Sequence, residues 1–269
     1  MKCVQEQPTV RLMNAVHGEV LMPVVGLGTG GYGQPDGSGG EYWGSEQGHN
    51  ATVAWLKMGG RRIDTSDDYA SRDGIGTGWI ASGVPRSEIF ITSKVNPSGY
   101  DQALEEFASI LKSLQTDYID LLLIHWPGVL PGTSNETSRP CKQEQSTWTE
   151  YRIQTWRALE TIFQQKRLFT TRCPDHAVTL DPTWNPIPDL RTNPSLIAIA
   201  KKHSKTPVQV VLRWHWQQGI VINPRTRDPS QMMENMSIFD FELDNQDMMA
   251  LSYLNHPMSK VCGDPRLIL

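Results

Sequence analysis

Apolar positions along the first half of the chain alternate between two patterns, short unbroken runs and stretches spaced at three and four residues. Residues 24–28 form a short apolar run closed by glycines, which predicts a strand ending in a tight turn. A Gly-rich stretch over 30–48 reads as loop. The next pattern predicts a helix over 51–58, with Asn50 as its cap and Gly59-Gly60 as its stop. Residues 62–65 and 89–94 predict two more strands. Over 101–115, Leu104, Phe107, Ala108, Leu111 and Leu114 fall on one face at helical spacing. The apolar run at 119–124 (IDLLLI) fits a strand buried on both faces, as in a parallel sheet. Residues 147–165 predict a helix with Trp156, Leu159, Ile162 and Phe163 turned inward. Strand followed by helix, repeated, means βα units.

Past residue 165 the rhythm stops. Four prolines (Pro174, Pro182, Pro186, Pro188) break 165–193, where at most a short strand near 177–180 is expected. Helices are expected again over 194–202 and 207–218, then a strand over 219–223, a short helix after Pro229 and a last helix over 245–254.

Composition narrows the class. The chain has 269 residues, a hydrophobic fraction of 38% and 9 Trp, enough to build a core in a single domain spanning 1–269. A net charge of −4 without a basic run argues against nucleic acid as a partner. No apolar stretch approaches the length of a membrane span, and the first eight residues lack a signal-peptide core. Cys3, Cys141, Cys173 and Cys262 have no metal-ligand spacing, and neither do His176, His203, His215 and His256. No metal is expected, and the cysteines read as reduced thiols of a cytoplasmic protein.

Candidate chemistry sits at the ends of the expected strands. Asp64 and Tyr69 follow the second, Lys94 ends the third and His125 ends the fourth. Singly, each has a structural reading: a turn aspartate, a loop aromatic, a solvated lysine, a core histidine. Jointly they lie where parallel βα sheets carry their active sites. A Lys94 ammonium held by Asp64 is expected to acidify the Tyr69 phenol, and His125 to orient a carbonyl oxygen that Tyr69 protonates. Trp43 and Trp126 are candidates to line a substrate pocket. Gly26, Gly28 and Gly31 satisfy G-x-G-x-x-G, but a Gly/Pro/Ser-rich loop follows instead of a helix, so a Rossmann site is not expected.

The segments GLGTG (26–30), IDTSDDY (63–69), ITSKV (91–95) and DLLLIHWP (120–127) resemble, in order and spacing, the signature strands of the aldo-keto reductases. Leu212-Arg213-Trp214 and the stretch from Pro224 to Asn235 are similar to that family's C-terminal cofactor segment. The resemblance implies a (β/α)8 TIM-type barrel that reduces aldehydes and ketones with NADPH as a monomer, with Asp64, Tyr69, Lys94 and His125 in the places of the catalytic tetrad. It also implies cofactor contacts from Gly28, Thr29, Gly30, Asp64, Arg225, Thr226 and Asn235. Gln231 stands where a second phosphate-binding arginine is usual, and Arg227 is the cation nearest to hand.

The middle of the barrel departs from the family. About 100 residues separate Tyr118 from Ile220, where four βα units need about 125. Two or three units are therefore expected to be missing between 165 and 193. The strands that carry Gly-Val-Ser-Asn, Asn-Gln and Tyr-Ser in the family have no evident counterpart, which leaves half of the nicotinamide pocket unassigned. A competing expectation follows: a catalytically impaired relative whose open sheet serves as a binding or interaction surface and completes itself by oligomerising.

Overall fold

A computed structural model of the chain describes residues 7–12, 18–31, 42–125, 146–172 and 190–254. The centre is a parallel sheet of β3 (Leu27–Gly28), β4 (Arg62–Asp64), β5 (Phe90–Val95), β6 (Ile119–Ile124) and β7 (Leu168–Arg172), hydrogen-bonded in that order. Helices α1 (Ser45–Lys57), α2 (Arg72–Ser82), α3 (Tyr100–Leu114) and α4 (Ser146–Gln164) connect successive strands. Sequential parallel strands with a helix at each crossover are the (β/α) barrel arrangement. Single bridges from Val25 to Ile222 and from Gly28 to Arg225 add a sixth parallel position beside β3. The described residues thus supply six strand positions of a TIM-type barrel.

The strand interiors are apolar because the sheet is covered. Ile63, Ile91, Ile119 and Leu122 have no exposure and join Leu27, Ile110, Leu159 and Leu168 in the main core. At the closing seam, fully buried Arg62 reaches across the barrel floor. One of its terminal nitrogens donates to the carbonyls of Val24 and Ile222 and to Asn223 Oδ1, at 2.7–3.0 Å. That guanidinium ties the C-terminal return to β3. Burial pulls its pKa down to about 10, and Asp64 opposes the shift.

Several expectations change. A strand does follow α4: β7 pairs with β6 from Ile119–Leu168 to Leu123–Arg172, so a fifth βα strand exists where none was expected. The proposed strand at 177–180 lies outside the described residues. The expected strand at 219–223 reduces to the bridge at Ile222, whose amide donates to Val24 O and whose carbonyl accepts from Gly26 N, with Arg62 donating to the same carbonyl. Helix α1 starts at Ser45 rather than after Asn50: the Gln47 side chain caps the amide of Gly44 instead. An N-terminal hairpin, β1 (Thr9–Leu12) and β2 (Val20–Pro23), was not expected at all. The remaining helices, α5 (Pro194–Lys202), α6 (Pro207–Gln217), α7 (Pro229–Met236) and α8 (Asn245–Leu254), fall where the pattern puts them.

Candidate active site

The rim of the sheet is set by register. Asp64 pairs with Thr92, and Lys94 pairs with Leu123, so the C-terminal ends of β4, β5 and β6 stay level. Pairing then runs past the strands: the Thr65 amide donates to Thr92 O, Asp67 N to Lys94 O, and His125 N to Val95 O. This extension brings Asp64, Tyr69, Lys94 and His125 to one place.

Lys94 Nζ donates to Asp64 Oδ1 at 2.6 Å and to the Thr65 carbonyl at 2.8 Å. It also stands 5.0 Å from the centre of the Tyr69 ring. The rings of Tyr69 and His125 meet edge to face, with centroids 5.7 Å apart. Gly30 closes the other side, since a Cβ there would lie 3.0 Å from Tyr69 Cζ and 3.1 Å from its hydroxyl. A side chain there would push the phenol by a few tenths of an ångström.

Burial governs the charges. It pulls the Lys94 ammonium toward neutrality, but the Asp64 carboxylate and the Tyr69 phenol outweigh it and hold the pKa above 10.5. Burial pushes the Tyr69 phenol above 10, with Lys94 pulling the other way. The expectation that Lys94 brings this phenol toward neutrality is therefore not met in the resting site. Desolvation disfavours the phenolate more than one ammonium, already shared with Asp64, favours it. Burial also lowers the pKa of His125, reinforced by Lys94 and opposed by Asp68, so its imidazole is neutral at pH 7. At rest the site holds an ammonium, a protonated phenol and a neutral imidazole.

The return segment faces this rim from the other side of β3. Arg225 Nη1 donates to the Gly30 carbonyl at 2.8 Å. The guanidinium carbons of Arg225 and Arg227 lie 5.9 and 5.7 Å from the Trp43 ring, within cation–π range. Trp43 is 2% exposed and belongs to the main core, so it forms the bed beneath two cations. Thr226 is buried and its hydroxyl donates to Gln231 Oε1 at 2.6 Å; Asn235 is buried on α7. Gly28 abuts the same segment, where an added Cβ would meet the Asn223 carbonyl at 2.7 Å. The Thr29 hydroxyl donates to the Asp64 carbonyl at 2.8 Å, and the Thr29 carbonyl accepts from Ser71 Oγ. Trp126 lies outside the described residues. Among the neighbours that escaped sequence reasoning is Ser66, with Oγ 3.0 Å from His125 Nδ1. Its only sequence signal was its position two residues after Asp64.

With this geometry in hand, comparison with known proteins is decisive. The model of the Aldo/keto reductase family matches residues 24–165 and 172–256. The chain belongs to the aldo-keto reductase family. Among its relatives, the glyoxal reductase of Bacillus subtilis is 32% identical over 92% of each chain. An aldo/keto reductase from Brucella melitensis superposes with a TM-score of 0.73 at 27% identity, covering 93% of this chain and all of the other. An aldo-keto reductase solved with NADPH superposes with the same score at 25% identity, over 93% of this chain and 88% of its own. The fold is therefore the (β/α)8 barrel type of these aldo-keto reductases, and the protein's class is that of carbonyl-reducing oxidoreductases. Among the described residues, no helix is long and apolar enough to cross a membrane.

Proposed function

We propose that this aldo-keto reductase converts a small aldehyde or ketone to the alcohol with NADPH, through Asp64, Tyr69, Lys94 and His125. The supporting observation is the Lys94–Asp64 contact of 2.6 Å beneath a phenol that Gly30 leaves room for. The residues present suit a phosphate-bearing dinucleotide. Arg225 and Arg227 supply cations, Trp43 Nε1 is a buried donor with no partner among the described residues, and Thr226 and Asn235 are buried beside them. When bound, NADPH supplies the hydride that the carbonyl carbon accepts.

The chain's own groups do the rest. His125 orients the carbonyl oxygen by hydrogen bonding. As negative charge grows on that oxygen, Tyr69 gives up its proton. A phenol that stays protonated at rest suits this role, because the acceptor is an alkoxide, far more basic than a phenolate. Lys94, an ammonium whose charge Asp64 balances at rest, stabilises the phenolate left behind; proton transfer from a positioned group contributes about 10²–10⁴-fold. The lowered pKa keeps His125 neutral and so spares the site a second positive charge beside Lys94.

The test pairs binding with turnover. Titration with NADPH, followed by tryptophan fluorescence, should saturate for both the wild type and Tyr69→Phe. The wild type should oxidise NADPH with a reactive aromatic aldehyde, and Tyr69→Phe should lose at least about 10³-fold of that rate. Saturable binding without turnover in the wild type points to the binding-protein alternative, and unchanged turnover in Tyr69→Phe overturns the tetrad.

A further inference from the structure

The imidazole of His125 presents Nδ1 to two oxygens of different chemistry. Ser66 Oγ lies at 3.0 Å and Asp68 Oδ2 at 3.4 Å. A carboxylate only accepts, whereas a hydroxyl can donate or accept. If Asp68 governed the ring, the proton would sit on Nδ1, and Nε2 would turn a lone pair toward any carbonyl oxygen. If Ser66 governs it, the hydroxyl proton points at Nδ1 and the ring carries its own proton on Nε2.

We propose that Ser66 is a positioning residue that fixes His125 in the Nε2–H tautomer, the form able to donate to a substrate carbonyl. Three observations favour the hydroxyl over the carboxylate. Ser66 is 1% exposed and nearer to Nδ1, whereas the Asp68 side chain is 41% exposed, where water weakens its pull. Asp68 Oδ1 accepts from Asn96 Nδ2 at 3.0 Å, so part of its charge is already engaged. The backbone amide of Asp68 donates to Ser66 Oγ at 3.4 Å, filling an acceptor position on the hydroxyl and leaving its proton for the imidazole.

The other charged groups facing the ring act on its charge and leave the choice of tautomer to Nδ1's two neighbours: Lys94 disfavours the doubly protonated ring, and the Asp64 carboxylate is bound to Lys94. Tyr69 meets the imidazole edge to face. Placement of Ser66 is itself a consequence of the sheet: Asp67 pairs with Lys94 and His125 with Val95, so residues flanking β5 on either side are drawn together. The proposal rests on His125 acting on the substrate carbonyl, as argued above, but the tautomer is readable without turnover.

Nitrogen-15 NMR of the ring in ligand-free protein at pH 7 decides it. The wild type should show a pyrrole-type Nε2 and a pyridine-type Nδ1 at His125. Ser66→Ala should move the proton toward Nδ1 and lower kcat by about tenfold, with NADPH affinity unchanged. Ser66→Thr, which keeps the hydroxyl, should restore both, and Asp68→Asn should leave the tautomer as it is. A wild-type ring protonated on Nδ1, or a Ser66→Ala spectrum identical to the wild type, overturns the proposal. Should Ser66→Ala fail to fold, the wild-type spectrum and that of Asp68→Asn still decide. If no carbonyl is reduced by any form, the spectra judge Ser66 separately from the reaction.

Discussion

Two sides of one barrel rim are built by different means. On β4, β5 and β6, continuous parallel pairing sets the height of Asp64, Lys94 and His125, and the backbone does the positioning. Across β3, the return over 222–226 has a shorter ladder, three backbone hydrogen bonds to residues 24–28, and long side chains reinforce it: Arg62 from below and Arg225 onto Gly30 from above. The first arrangement is insensitive to any one side chain away from the chemistry. The second adds a few long, charged ones to a short backbone ladder. Proton-handling groups need separations fixed by backbone geometry, whereas a phosphate can be met by arginines that adjust their reach.

Substitutions on each side sharpen that contrast. Lys94→Met has the largest expected effect. It removes the charge that stabilises the phenolate and leaves Asp64 buried alone, costing about 10³-fold in turnover and about 3–5 kcal/mol in stability. Lys94 and Tyr69 both have pKa values raised by folding, so the folded protein holds protons that the unfolded chain loses from about pH 10 upward. Stability should therefore fall with rising pH above 10 in the wild type, and less steeply in Lys94→Met. Denaturant unfolding at pH 7, 10 and 11 measures both; a variant as stable as the wild type at pH 7 would contradict the buried pair.

Arg62→Met attacks the other side. Three acceptors lose a charged donor, for a cost of about 3 kcal/mol. The loosened return should weaken NADPH about tenfold in a fluorescence titration, a ratio that corresponds to about 1.4 kcal/mol. Turnover at saturating cofactor should change little, because the β4–β6 rim does not need this guanidinium. Equal losses in binding and saturated turnover would mean that the two sides are not separable.

Gln231→Arg is the mildest change. It ends the hydrogen bond from Thr226 and adds a cation next to Arg225 and Arg227. NADPH should bind up to about tenfold more tightly, consistent with one added charge-assisted contact, and NADH should be unaffected. A parallel gain for NADH would show that the new arginine does not read a phosphate.

The same division explains what was legible in the residues. Long periodic segments were plain, and α3, α5 and α8 lie within a residue or so of their expected limits. Short elements were not. The β1–β2 hairpin has four-residue strands with a half-exposed pattern, and β7 (LFTTR) is polar at its end and followed by prolines. Trp43 looked like a pocket wall, yet its flanking arginines come from about 180 residues away, a distance no local pattern spans. The Ser66–His125 contact is of the same kind, since two strands that are not neighbours meet only across the strand between them.

What the chain determines alone is periodicity and the side chains placed at each strand end: burying apolar runs on both faces demands a parallel sheet, and that suffices to gather Asp64, Lys94 and His125. The balance of charge within the gathered site belongs to the tertiary structure. Burial, rather than proximity to Lys94, sets the resting state of the Tyr69 phenol, and desolvation depends on everything packed around a group.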